Sequence, residues 1–311
     1  MLRPNMKMSE LVESDFHLLS VVSRVGINGS FGEKTVDELC SENGLDTDTF
    51  ILLCDIYASE EFRPTEQQLR RSHISDVMRY LHQSHDYYLT DALVEMRAAL
   101  KNLTEPCSDR QKAVIRGFYE DYRSELEKHF EYEEHSIIPY VQQLLIGQRV
   151  PGMSISSFEE NHSNMQETLS DLMSLIMKSL PEECDSRSRF SVLNFLFHLQ
   201  HDLRRHTSVE DRVFVPMVQL LEDPRRKLSD RRSASSKILD GTSDELSERE
   251  KEILISVAEG LLNKEIADRH NISINTVITH RKNITRKTGI KTVAGLTVYA
   301  ILNDLIRPSG K

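Results

Sequence analysis

The chain has 311 residues, a formal net charge of −10 and 39% hydrophobic residues, enough for roughly two or three domains. Four scattered cysteines without C-x-x-C spacing exclude a disulfide scaffold. No stretch approaches the ~18 apolar residues of a membrane span or the apolar core of an export signal, so a cytoplasmic protein with no membrane partner is expected.

Charge divides unevenly along the chain: about −15 over residues 1–222, +1 over 223–245 and +4 over 246–311. Only the C-terminal part suits a polyanionic partner. No sustained alternation of β-branched residues occurs, and Gly and Pro fall at helix ends or loops, as at Pro151-Gly152 and Pro181. The whole chain is therefore expected to be all-α.

In chain order, the first informative residues are His82 and His85, then His129, Glu133 and Pro139, then His162, then His206, Glu210 and Pro216. His129 to Pro139 and His206 to Pro216 both read H-x3-E-x5-P. On a helix, residues four apart share a face, so each copy presents one imidazole and one carboxylate to a common point. Aligning His82–Asp91 with His162–Asp171 matches the first His, a Leu seven later, a hydroxyl residue and an Asp. That alignment makes His82 the expected ligand and sets His85, opposite Met165, in a supporting place behind it. His135 and His201 have no counterpart and are expected to be solvated or structural.

A lone histidine on an apolar face is usually a hydrogen-bonded core residue, but two copies with matched upstream histidines favour a metal site. Four helices can point His82, His129, His162 and His206 inward with Glu133 and Glu210 between them, a set that suits two metals better than one. Iron is expected, with manganese or zinc as alternatives that the same donors accept.

On these residues, 70–222 resemble a hemerythrin-like domain, and the four-His, two-Glu set is similar to the ScdA-type proteins linked to repair of iron-sulfur centres. Oxygen-carrying hemerythrins have a further histidine where this chain has Gln166, which argues against a pure oxygen carrier. Residues 1–62 resemble the small helical domain preceding the bundle in ScdA-type proteins. Where that family has Cys-Cys-Gly-Gly, this chain has Gly26-Ile27-Asn28-Gly29-Ser30-Phe31-Gly32, so its thiol chemistry is not expected here.

Residues 223–245 hold six basic residues, several serines and little apolar periodicity, the composition of a mobile basic linker. Beyond it, Ser247 with Glu250 forms a capping box, Gly260 ends a first helix, and helices are expected over Leu262–His270, Ile274–Thr288 and Thr292–Leu302. The third has a cationic outer face and follows a tight turn, as a recognition helix does. Leu246, Arg249, Glu250, Gly260, Asn263, Lys264, Ile266, Ala267, Val277, Asn283, Ile284 and Gly289 carry a resemblance to a LuxR-type helix-turn-helix over 246–308.

That resemblance implies double-stranded DNA as partner and a homodimer on it through the last helix. It sets Lys264, Thr276, His280 and Lys287 at the backbone, with Ile278, Arg281 and Lys282 nearest the bases. Together the parts lead to the expectation of a non-enzymatic transcription regulator whose di-iron centre meets a diatomic gas or oxidant. The alternative is an ScdA-type repair or small-molecule-reducing protein with an appended DNA-binding domain.

Overall fold

In the computed structural model, residues 2–148, 150–155, 163–181, 184–223 and 246–306 are described here. They are helical, with one isolated bridge, Lys7 to Thr35, as the only β-type pairing among them. The chain divides into two compact units: residues 1–92, 127–162 and 201–231, and residues 93–126, 163–200 and 232–311.

The first unit begins with α1 (Met8–Ser14), α2 (Leu18–Arg24), α3 (Val36–Glu42), α4 (Thr47–Ala58) and α5 (Glu66–Arg71). Their starts are written locally. Thr35 and Glu38 form a capping box on α3, and the Asp46 carboxylate accepts the Thr49 N–H on α4 at 2.8 Å. Met8, Leu11, Phe50, Leu53 and Ile56 are fully buried, and their cluster runs without a break into Val77, Tyr80, Val213, Phe214 and Val218. The expected boundary between residues 62 and 70 is thus no gap in the core.

Four bundle segments follow. The first is α6 (Ile74–Tyr87), a π turn over Tyr88–Ala92 and α7 (Leu93–Leu103). The second is α8 (Asp109–Tyr132), a π turn over Glu133–Ile137 and α9 (Ile138–Leu145). The third is α10 (Ser163–Lys178). The fourth is α11 (Ser186–Val209), a π turn over Glu210–Phe214 and α12 (Val215–Glu222). The last segment repeats the second element for element at a constant distance of 77 residues, matching the 77 between Cys107 and Cys184 just ahead of them.

In the second unit, α13 (Glu248–Ala258), α14 (Asn263–His270), α15 (Ile274–Thr288) and α16 (Val293–Leu302) pack around Ile253, Leu254, Val257, Ile266, Val277, Ile284 and Leu296. The linker at 224–245 lies outside the described residues. Asn271 adopts φ 52° between α14 and α15, and Gly289 ends α15 at φ 76°, left-handed turns that Asn and Gly accept most readily.

Helix α16 is apolar on all sides and packs against both α13 and α10. The Asp171 carboxylate on α10 accepts N–H groups of Lys291 and Thr292, each at 2.8 Å, and the Thr292 hydroxyl at 2.6 Å. Lys178 donates to the last carbonyls of α15, Lys287 at 3.2 Å and Thr288 at 2.9 Å. Arg110 reaches the Ile306 carbonyl at 2.7 Å and Asp304 at 2.8 Å. The helix expected to offer a dimer surface packs here on one side against the chain's own α10.

Candidate metal centre and nucleic-acid interface

Both H-x3-E-x5-P copies fold alike. His129 stands in the last turn of α8, Glu133 opens the π turn, and Pro139 lies in the first turn of α9. His206, Glu210 and Pro216 do the same at the end of α11. Proline lacks an N–H and its ring crowds the carbonyl four residues back. A wider π turn ahead of each proline accommodates both effects and re-aims the carboxylate inward.

One ligand atom from each of His85, Glu133, His206 and Glu210 lies within 4.8 Å of the others, and all four residues are buried. His129 Nε2 stands 2.8 Å from Glu133 Oε1, and His206 Nε2 stands 2.8 Å from Glu210 Oε1. His85 Nε2 is 2.9 Å from Glu133 Oε2. Yet His85 Nε2 and both ring nitrogens of His206 are shut away from solvent without a hydrogen bond of acceptable geometry.

Buried imidazole nitrogens left in this way, beside buried carboxylates, are costly unless a cation completes them. The donor set therefore fits a metal held by His85, His129, Glu133, His206 and Glu210, and its nitrogen and oxygen ligands suit iron, manganese or zinc.

The two buried histidines titrate in opposite directions. Burial disfavours the His85 cation, but Glu133 and Glu134 outweigh it and raise the pKa to about 9. Burial and the neighbouring His85 charge together hold His206 well below its ordinary value. A metal and a proton therefore compete for His85 Nε2. Glu134 also orients that ring: its carboxylate lies 2.6 Å from His85 Nδ1 and 3.0 Å from His82 Nδ1. With the proton on Nδ1 facing Glu134, His85 Nε2 turns to the cluster.

The helix-turn-helix exposes Lys264 and Lys282, with Ile278 at 37% exposure and Thr276, His280 and Arg281 half-buried. Arg281 donates to Asn263 Oδ1 at 2.9 Å. Ser273 caps α15 by accepting the Thr276 N–H at 3.0 Å.

Residues 76–218 match the family model described as the hemerythrin HHE cation binding domain, and residues 244–300 match that of bacterial regulatory proteins, luxR family. The chain carries a hemerythrin domain followed by a LuxR-family regulatory domain. It is similar to the transcriptional regulatory protein MctR of Rhizobium johnstonii, 44% identical over 68 residues, 22% of this chain and 32% of MctR. It is also similar to the response regulator protein VraR of Staphylococcus aureus, 34% identical over 106 residues, 34% of this chain and 46% of VraR. The chain spans less than half the length of these relatives.

Within the hemerythrin domain, the expected ligands Glu133, His206 and Glu210 come together with His85, His129 stands beside Glu133, and His162 lies outside the described residues. His82 does not join them. Its side chain is 53% exposed and pairs with Glu134, while His85 takes the place at the cluster. Both rings reach Glu134, but only His85 continues the buried line of Val77, Leu81 and Tyr88 and stands among the cluster's ligand atoms. The signal was available: His85 and His162 stand at the same 77-residue spacing as His129 and His206, with no gap needed.

In the LuxR-family domain the exception is Lys287. Its ammonium lies 2.7 Å from Glu250 Oε2 with only 11% of the side chain exposed, so it ties the end of α15 to the start of α13. Expected at the DNA backbone, it is paired inside the domain, with the same Glu250 Oε2 that accepts the Ser247 N–H in the α13 capping box.

One feature escaped sequence reading. Arg24 of α2 is buried, forms an ion pair with Asp202, and donates to Tyr57 at 2.9 Å and Tyr88 at 3.2 Å. The Tyr57 and Tyr80 hydroxyls are 2.6 Å apart, and Tyr88 donates to Asp202 at 2.8 Å. Asp202 is one turn ahead of His206, and the Tyr80 and Tyr88 rings flank the His206 ring at 6.0 and 5.4 Å. A small N-terminal domain thereby sets a buried cation next to the metal centre.

Proposed function

We propose that this protein is a DNA-binding transcription regulator whose hemerythrin domain holds two iron ions and senses oxygen, nitric oxide or redox stress. The observation that carries this reading is the buried His–Glu cluster on a chain that ends in a LuxR-family helix-turn-helix. Iron bound there supplies a centre able to change oxidation state and take a diatomic ligand.

The chain's own residues suggest how that state reaches DNA. Helix α10 starts at Ser163, directly after His162, and carries Asp171, Ser174 and Lys178, which hold the α15–α16 junction. Helix α8 carries Arg110 near its start and His129 near its end. A shift of either helix would alter the seating of the DNA-reading domain and uncover α16 for a homodimer. Such coupling requires the ligand to favour one of two arrangements.

The test is to purify the protein anaerobically, count metals, and measure DNA affinity at fixed salt in reduced, air-oxidised and nitric-oxide-treated forms, with His85→Ala as control. Two irons per chain and an affinity that responds to treatment in the wild type alone support the sensor. Two irons with DNA affinity indifferent to treatment overturn it in favour of an ScdA-type repair or small-molecule-reducing protein.

A further inference from the structure

Outside the metal centre, two thiols meet. Cys107 Sγ and Cys184 Sγ lie 3.1 Å apart, both buried, although the residues are 77 apart in sequence. That separation is the repeat distance of the hemerythrin domain. Each cysteine immediately precedes the residue that caps a bundle helix: Ser108, whose hydroxyl accepts the Gln111 N–H of α8, and Asp185, whose carboxylate accepts the Ser188 N–H of α11. The two cysteines are the same position in the two repeats, and the packing of the hairpins brings them together.

A disulfide needs sulfurs about 2.05 Å apart, so the observed thiols require an approach of only about 1 Å, and both sit in short connections rather than within helices. We propose that Cys107 and Cys184 form an oxidation-dependent disulfide that staples the α7–α8 connection to the α10–α11 connection. With a peroxide as oxidant, one thiol gives a sulfenic acid and one water. The second sulfur then attacks the first and a second water leaves, so that two thiols and one peroxide yield one disulfide and two waters.

Cys107 has 6% and Cys184 1% of its surface exposed, and burial, reinforced by the bond to Cys184, pushes the Cys107 thiol up to about 12. The reaction is therefore slow and suited to sustained oxidation rather than to a brief pulse. Cys40 and Cys54, also buried, belong to the N-terminal core, and they serve as internal controls.

The test treats the full-length protein with hydrogen peroxide, then denatures it in an alkylating reagent and maps peptides by mass spectrometry without reduction. The expected result is a fall from four alkylatable thiols to two and a peptide pair joining Cys107 to Cys184 within one chain, reversed by dithiothreitol. The Cys184→Ser variant should keep its remaining thiols alkylatable. Four free thiols after prolonged oxidation, or a crosslink through Cys40 or Cys54 or between chains, would overturn the proposal. The wild-type peptide map decides the matter even if the variant folds poorly, and none of these readouts depends on bound metal.

Discussion

The two repeats of the hemerythrin domain share one skeleton and differ in electrostatics. Each supplies a histidine, a π turn opened by a glutamate, and a proline, at a constant spacing of 77 residues. Around His85, however, two carboxylates gather, Glu133 and Glu134. The second repeat has Asp211, exposed, where the first has Glu134. Burial holds the His206 pKa well below its ordinary value, and the neighbouring His85 charge adds to that. Repetition sets ligand geometry, whereas Glu134, which breaks the repeat, adds a second carboxylate beside His85 and helps raise its pKa.

The strongest way to break the comparison is to remove ligands. Glu133→Ala, Glu210→Ala and His85→Ala are each expected to abolish stoichiometric metal retention after dialysis, while His82→Ala keeps it; metal analysis of the purified variants checks this. Glu134→Gln sharpens the contrast. With His85 less firmly oriented, metal affinity should fall ~10–100-fold, measured by chelator competition, and a change at Asp211 should do far less.

Next comes the buried ion pair. Arg24→Met strands Asp202 in a nearly dry environment and should cost about 3–5 kcal/mol in urea unfolding. Burial alone would raise the Asp202 pKa, but Arg24 outweighs it and the net shift is downward. A depressed carboxylate contributes stability above its unfolded pKa of ~3.9 that is lost as pH falls through the folded value. Acid titration of stability should therefore show a loss in that range that Arg24→Met removes.

A smaller effect concerns the seat of the DNA reader. Asp171→Ala removes the acceptor of the Lys291 and Thr292 N–H groups and should loosen α16 from α10. If docking restrains the domain, DNA affinity and dimer formation rise several-fold, read by equilibrium binding and sedimentation; unchanged values would argue that docking is passive. The smallest expected change is at Lys282. Lys282→Ala should weaken DNA binding and lower the salt slope by about one, whereas Lys287→Ala should act mainly on thermal stability through loss of the Glu250 pair.

Much of this was legible in the sequence. The capping box at Ser247 and Glu250, the tight turn at Asn271 and the helix from Ile274 to Thr288 appear as read, because each rests on contacts within a few residues. Three of the six expected metal ligands, Glu133, His206 and Glu210, meet in the cluster and His129 pairs with Glu133, for the same reason: a four-residue spacing fixes a helix face. The structure turns His85 rather than His82 to the cluster, a choice that the 77-residue repeat and the apolar line through Val77 and Leu81 also favour.

The tertiary structure alone decided the rest. No local pattern shows that Arg24 meets Asp202, that Lys287 turns inward to Glu250, that Asp171 holds the start of α16, or that Cys107 touches Cys184. Short-range spacing dictates which side chains share a helix face. The partners those faces meet depend on how distant helices pack, and at the buried positions that packing fixes which charges must be neutralised and which thiols lie in contact.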